Sequence, residues 1–401
     1  MTLIKKTAVI LLLLLVAGMA IVPCVSASST AEDVDSATAQ KVAYTQLKVL
    51  TKESQDYEDW TYASLEEPKL LYGLDNDKTA YAFEVIVMGE KSGYIIVSAK
   101  RTNYPILEYS RGQLPIANPQ TLERSEKVAH EKAPAIGSIV GSPRMLYLGG
   151  TFYFAKYPVY SSDDRSAEPI IVDLTDMKVI DPEFGQQNAV TKGDITKLDA
   201  IRFEEAEKDW AALEGTSVNM SSFAVQESVP AAGSQYIPGV PLYEWYLGCA
   251  PTAAGMVLAY RDSHGYSNFP DNQYTLISEL ATAMGTSGGS TCIWNVDDGM
   301  NTVAQNHGYS YSTLHMEEDS WLDYSEVQRE VNAYKPFVLN MLGGGTAYGN
   351  SQPYGDHSVA VIGYESYSSG DYVVVQDTWT PLSARSLRFG SWSYALADYS
   401  R

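Results

Sequence analysis

Three residues far apart in the sequence have the side chains that nucleophilic acyl chemistry needs. Cys249 lies in the stretch GCAPTAAGMVLAY, His357 in GDHSVAVIGYE and Asp377 in YVVVQDTW. A thiol nucleophile needs an imidazole to take its proton and a third group to hold that imidazole in one tautomer. The set therefore predicts covalent catalysis through a cysteine, provided that the fold brings the three residues together.

The segment that carries Cys249 is predicted to be a buried helix beginning at the cysteine. Its apolar residues repeat at helical spacing, and Pro251 falls in the first turn, where proline is tolerated. Free N–H groups and the positive dipole end at a helix start stabilise a thiolate, so we expect a lowered pKa for Cys249. A disulfide with Cys292 is the alternative, which an exported chain would favour.

A β-hairpin is predicted to place His357 beside Asp377. Two apolar strands, SVAVIGY and YVVVQ, flank the turn sequence ESYSSGD. In an antiparallel hairpin, the start of the first strand lies near the end of the second. Trp379 follows Asp377 closely, so its indole is available to cover the pair. Structural roles for the histidine at a strand edge and for the aspartate in a turn are the alternatives.

The order of these motifs resembles the papain-like cysteine peptidases. GCAPTAAGMVLAY and DHSVAVIGYE look more specifically like the peptidase domains related to double-glycine leader peptidases and to streptopain. SGYIIVSAKRTNYPILEYSRG is similar to the streptopain propeptide. The resemblance implies that Cys249 is the nucleophile, His357 the general base and later acid, and Asp377 its orienter, with Trp379 screening the pair.

One departure from the family concerns the oxyanion hole. The family has a glutamine about six residues before the cysteine, and Tyr243 stands there in this chain. Losing one oxyanion donor costs about 10² to 10³ in rate. Tyr243, Trp245 or the more distant Gln235 is expected to substitute. Otherwise the protein is slow, or is an inactive surface or adhesion protein that uses the peptidase scaffold as a binding module.

The surrounding elements predict an α+β fold in several domains. Helical spacing, as at Val42, Leu47 and Leu50 of residues 36–54, alternates with stretches of strand-forming residues. The second N-terminal unit repeats the order of the first, a helix followed by strands with similarly spaced aromatic residues. A chance likeness of strand-forming residues is the alternative. We expect a signal peptide at 1–27, a propeptide-like α+β domain at 28–115, a second α+β unit at 116–213, a linker at 214–235, and a papain-like peptidase domain at 236–401, with the cysteine on a helix and the histidine and aspartate on an antiparallel sheet.

Composition bounds the class of protein. The chain of 401 residues is 45% hydrophobic and 19% charged, which is typical of folded domains. Lys5 and Lys6, an apolar run and the small residues Val25-Ser26-Ala27 predict an export signal. An uncleaved membrane anchor is the alternative. The net charge of −21 argues against nucleic acid or anionic membrane as a partner.

Together these features lead to one functional hypothesis. The chain is expected to be a secreted or surface-associated zymogen that hydrolyses peptide bonds in peptide or protein substrates, with its N-terminal region as an intramolecular inhibitor and a cut in the linker as the activating step. Other acyl or amide chemistry, for which the same three residues serve, is a further alternative. No Cys-x-x-Cys pair or His-Glu-x-x-His helix occurs in the sequence, so neither a metal nor a cofactor is expected.

Overall fold

The computed structural model is a mixed α+β protein, as the sequence predicts. It describes residues 33–133, 138–160, 166–180, 192–215, 233–319, 322–342, 357–378, 383–392 and 394–401. The predicted signal peptide and most of the predicted linker lie outside the described residues. Among the residues that are described, no helix is long and apolar enough to cross a membrane, and no three metal-ligating side chains cluster.

The N-terminal region, residues 33–215, follows the predicted pattern of helices and strands. The first helix buries Val42, Leu47 and Leu50, and the Asp35 side chain accepts a hydrogen bond from the Thr38 N–H at 2.7 Å to cap its start. The helices are α1 (Ser36–Glu53), α2 (Pro119–Lys132) and α3 (Lys192–Gly215). The strands are β1 (Ser64–Leu65), β2 (Lys69–Tyr72), β3 (Lys78–Val87), β4 (Glu90–Ser98), β5 (Ile106–Ser110), β6 (Ile139–Val140), β7 (Arg144–Tyr147), β8 (Tyr153–Tyr160), β9 (Ser166–Asp173) and β10 (Val179–Ile180).

The C-terminal region, residues 233–401, places its helices before most of its strands. Its helices are α4 (Cys249–Asp262), α5 (Gln273–Ala283), α6 (Val296–Asn306) and α7 (Tyr324–Asn332). Its strands are β11 (Gln235–Tyr236), β12 (Met316–Asp319), β13 (Phe337–Leu342), β14 (His357–Tyr367), β15 (Gly370–Gln376), β16 (Ala384–Arg388) and β17 (Tyr394–Ser400). Short 3₁₀ turns cover Gln55–Tyr62, Pro115–Ala117 and Ile293–Asn295.

An antiparallel sheet forms the centre of the C-terminal region. Its strands lie in the order β12, β17, β13, β14, β15 and β16. Val257 and Leu258 of α4 pack in one apolar core with Val359 and Val361 of β14. The helix that begins with Cys249 therefore lies directly on the strand that begins with His357.

The sheet continues from the C-terminal region into the N-terminal region. Strand β16 pairs antiparallel with β5, with Ser386 opposite Tyr109 and Leu387 opposite Glu108. We call this pairing the strand junction. From β5 the sheet runs on through β4 and β3. Residues Val34–Arg401 thus form one compact unit.

Candidate active site

Cys249 begins α4 because the loop before it is fixed in place. The Thr252 side-chain oxygen accepts a hydrogen bond from the Tyr246 N–H at 3.1 Å and donates to the Gly248 carbonyl at 2.6 Å. A Cβ on Gly248 would lie 3.1 Å from the Gly289 carbonyl oxygen, so the close approach of these two loops favours glycine. The thiol is thereby held at the first turn of the helix.

The hairpin predicted from the sequence brings His357 and Asp377 together. Strand β14 begins at His357, and Ala360 is paired with Gln376 at the end of β15, so Asp377 follows directly beside the start of β14. The His357 ring forms a hydrogen bond with the backbone of Asp377. The backbone of Ser358, next to His357, forms a hydrogen bond with the Cys249 thiol. The Cys249 thiol thus contacts the backbone next to His357, and the His357 ring contacts the backbone of Asp377.

Burial governs the charge states of the His357 ring and the Cys249 thiol. It lowers the pKa of His357 to about 4, and the positive charge of Arg385 acts in the same direction. It also raises the pKa of the Cys249 thiol, although the backbone hydrogen bonds from Ser358 and Ala250 favour the thiolate. The expectation that the helix start leaves Cys249 with a lowered pKa is therefore wrong for this state of the chain. Both side chains are neutral near pH 7.

The two cysteines of the C-terminal region are not joined. Cys249 and Cys292 are both free thiols, and Cys292 is exposed. The disulfide alternative is therefore not realised in this structure. Cys292 also provides an exposed reference thiol within the same chain.

Two of the expected oxyanion donors do not lie beside Cys249. The charge acting on the Tyr243 hydroxyl is that of Asp262, at the other end of a helix about 20 Å long. Gln235 lies in β11 opposite Tyr364, seven residues along β14 from His357 and so about 20 Å away. Standing at the position of the family's glutamine therefore does not direct the Tyr243 side chain toward Cys249.

Trp245 lies in the loop that leads to Cys249 and is held close to Asp377. Its backbone N–H donates to the Thr378 carbonyl at 2.9 Å. Its ring packs against Gly289, where an added Cβ would lie 2.9 Å from a carbon of the indole. Lys178 Nζ lies 5.4 Å from the ring centroid. We call the surroundings of Cys249, His357 and Asp377 the cleft, and Trp245 is the expected oxyanion residue whose backbone lies beside it. Trp379, the expected screen of the pair, lies outside the described residues.

Arg385 is a functional candidate that the sequence reasoning missed. It is 1% exposed, and its Nε donates to the Asp377 carboxylate. Its Nη1 donates to the Tyr94 hydroxyl and lies 3.5 Å from Glu108 Oε1. The local signal is a pair of arginines in a short strand, ARSLR, whose last four residues are buried.

Residues of the N-terminal region cover the cleft. The Phe152 ring stands edge-on to the His357 ring with centroids 5.8 Å apart. Lys178 lies over Trp245, forms an ion pair with Asp176 at 2.5 Å, and both charges act on the Cys249 thiol. We call Phe152 together with the turn 173–178 the cleft cover.

Comparison with known proteins shows a likeness confined to part of the chain. Residues 237–395 match the model of the Peptidase_C39 like family. A structure described as a C39-like peptidase from Bacillus anthracis is 16% identical, with a TM-score of 0.29, over 42% of this chain and 98% of that one. A fragment of prointerpain A from Prevotella intermedia is 13% identical, with a TM-score of 0.30, over 66% of this chain and 98% of that one. Both TM-scores lie below 0.5, so neither structure carries weight for the function. No curated protein matches significantly.

Proposed function

We propose that this chain, whose residues 237–395 match the Peptidase_C39 like family, is the inactive precursor of an exported cysteine peptidase. Cys249 attacks the carbonyl carbon of a peptide bond, and His357 takes the thiol proton and passes it to the leaving amine. Water then hydrolyses the acyl-enzyme. The observation that supports this proposal is that the Cys249 thiol contacts the backbone of Ser358, the neighbour of His357, while the His357 ring contacts the backbone of Asp377.

The N-terminal region acts as an intramolecular inhibitor in this proposal. Its cleft cover occupies the space in front of His357 and Trp245. Burial under this cover also keeps the thiol and the imidazole neutral, because it raises the pKa of Cys249 and lowers that of His357. Removal of the cover admits water, which lowers the cost of the charged thiolate–imidazolium pair. Opening the cleft and activating the nucleophile are then one event.

Export and the site of activation are proposed from features of the sequence. The N-terminal signal pattern supports secretion or association with the cell surface. A cut within the linker at residues 214–235 would separate the cover from the peptidase domain. Peptides and proteins that reach the chain outside the cell are the proposed substrates.

A thiol-directed alkylating inhibitor tests the proposal. The full-length protein is labelled before and after limited proteolysis of the linker, and each cysteine is quantified by peptide mass spectrometry. Labelling of Cys249 is expected to rise by about 10²-fold after the cut and to fall back in His357→Ala, because the general base contributes about that factor. Exposed Cys292 is the internal control and should react equally in every sample.

Two results would count against the proposal. One is a Cys249 that reacts no faster than Cys292 in the cut protein, which would favour an inactive binding module. The other is a reactive Cys249 with no cleavage in a mixed peptide library, which would leave other acyl or amide chemistry. Cleavage products that vanish in Cys249→Ala are the expected outcome.

A further inference from the structure

Arg385 lies in β16, the strand next to β15, and Asp377 directly follows β15. It is paired with Val375 of β15, and the next pair along, Ala384 with Gln376, leads directly to Asp377. The Arg385 side chain is 1% exposed. A buried guanidinium is stable only if opposite charges and hydrogen-bond acceptors surround it.

Two carboxylates from different regions of the chain compensate this charge. Arg385 Nε donates to Asp377, and Nη1 donates to the Tyr94 hydroxyl and lies 3.5 Å from Glu108 Oε1. Negative charges at Asp377 and Glu108 hold the pKa of Arg385 well above its ordinary value despite burial. The guanidinium therefore stays cationic at every pH at which the chain is folded.

Glu108 is held firmly by its own neighbours. Its carboxylate accepts hydrogen bonds from the hydroxyls of Tyr94, Tyr153 at 2.9 Å and Tyr147 at 3.4 Å, and from the Thr151 N–H at 3.1 Å. All of these donors belong to the N-terminal region. The counter-charge that faces Arg385 across the strand junction thus has little freedom to move.

The position of Arg385 has consequences for His357. Apart from burial, the pKa of His357 responds to a hydrogen bond with the Asp377 backbone, which raises it, and to the charge of Arg385, which lowers it. Glu108 lies behind Arg385 on β5, while Asp176 and Lys178 act on Cys249. By fixing the Asp377 carboxylate, Arg385 also fixes the peptide that contacts the imidazole.

We propose that Arg385 is a positioning residue for the His357–Asp377 pair, and that the N-terminal region supplies its second counter-charge through Glu108. This inference rests on the proposed function. It gives the N-terminal region a second role, because besides covering the cleft it helps to hold His357 and Asp377 in position. Arg385 touches no substrate in this scheme and acts through Asp377.

Arg388 on the same strand is a matched control. It is also buried, stacks on Tyr104 at 4.2 Å and donates to Asp209 of α3 at 2.9 Å. It therefore makes a second buried ion pair between the same two regions. Arg388 is paired with Tyr372, well along the hairpin from Asp377, and does not act on His357.

The experiment measures the pKa of His357 by NMR in the full-length chain with ¹⁵N-labelled histidine. Cys249→Ala in every sample prevents self-processing and makes the readout independent of peptidase activity. Arg385→Gln is expected to raise the pKa of His357 by about one unit or more, because a positive charge is removed and the Asp377 carboxylate loses its partner. Arg388→Gln should leave that pKa unchanged.

A second variant guards against misfolding of Arg385→Gln. Arg385→Met combined with Glu108→Gln removes one positive and one negative charge, so it avoids an uncompensated carboxylate at Glu108 and should show the same rise. Equal His357 pKa values in the Arg385 and Arg388 variants would overturn the positioning role and leave the peptidase proposal intact. Failure of wild-type Cys249 to react after the linker is cut would overturn the peptidase proposal and leave the titration result standing.

Discussion

Two of the contacts between the N-terminal and C-terminal regions are built differently. At the strand junction, Glu108 and Arg385 are buried, and backbone pairing continues from β5 to β16. At the cleft cover, the contacts include the buried ring of Phe152 and Lys178, whose side chain is 38% exposed. The first contact is a buried, charge-compensated ion pair, and the second combines a buried ring with a partly exposed lysine.

This difference indicates which contact can be broken. An interior ion pair resists separation because one partner would be left as an unpaired buried charge. An exposed lysine over an indole contributes little free energy to the folded state, so breaking that contact costs little. We therefore expect the cover to open while the junction persists, at least in the first step after the linker is cut.

The largest effect is expected at the strand junction. Glu108→Gln removes the counter-charge that faces Arg385, so the free energy of unfolding of the full-length chain should fall by about 3 kcal/mol in urea titrations. Glu53→Gln is the control, since Glu53 also joins the two regions, accepting from the Ser368 N–H at 2.8 Å, but on the surface. Its loss should stay within about 0.5 kcal/mol.

Equal losses in these two variants would remove the distinction between an interior junction and a surface contact. The comparison uses the same protein length, the same charge change and the same chemical substitution. A difference between the variants therefore reports burial and compensation rather than net charge.

A smaller, pH-dependent effect is expected at the cleft cover. Burial and the neighbouring Asp176 raise the pKa of Asp173 to about 7, from 3.8 for an ordinary aspartate. The folded chain thus binds more protons than the unfolded chain between these values, so the contribution of Asp173 to stability falls as pH rises through this window and stays low above it. Asp173→Asn should raise Tm by about 2 to 4 °C at pH 8, with a smaller gain at pH 5.

Asp59→Asn provides a control of opposite sign. A hydrogen bond from Arg111 lowers the pKa of Asp59, so its contribution to stability is present above the ordinary pKa and is lost in acid. The variant should therefore be less stable than wild type at pH 8 and approach it as pH falls. A Tm gain for Asp173→Asn that is the same at pH 5 and pH 8 would show that Asp173 carries no buried charge.

The sequence predicted the parts of the site that depend on local patterns. A helix starting at Cys249 follows from apolar spacing and a proline in the first turn, and adjacency of His357 and Asp377 follows from hairpin geometry. These rules need only a few neighbouring residues. They also account for the α+β class, because helical and strand periodicities alternate along the chain.

The sequence could not predict the features that depend on distant residues. Glu108 and Arg385 meet only because β5 pairs with β16, and no sequence pattern near either residue predicts that pairing. The same limit explains the thiol pKa: a helix start favours the thiolate, but the burial that raises the pKa of Cys249 depends on tertiary packing. The direction of Tyr243 likewise depends on packing at the far end of α4.

The smallest expected effect tests the exposed edge of the cleft cover. Lys178→Ala removes the cation over Trp245 and should destabilise the chain by less than about 1 kcal/mol. It should nevertheless raise the rate of Cys249 alkylation in the uncut protein several-fold, because the cover closes the cleft partly through this contact. Lys156→Ala is the control, since Lys156 Nζ donates to the Leu74 carbonyl at 2.8 Å within the N-terminal region. If both variants react at the wild-type rate, Lys178 takes no part in covering Cys249, and the closure would rest on Phe152 and the rest of the turn.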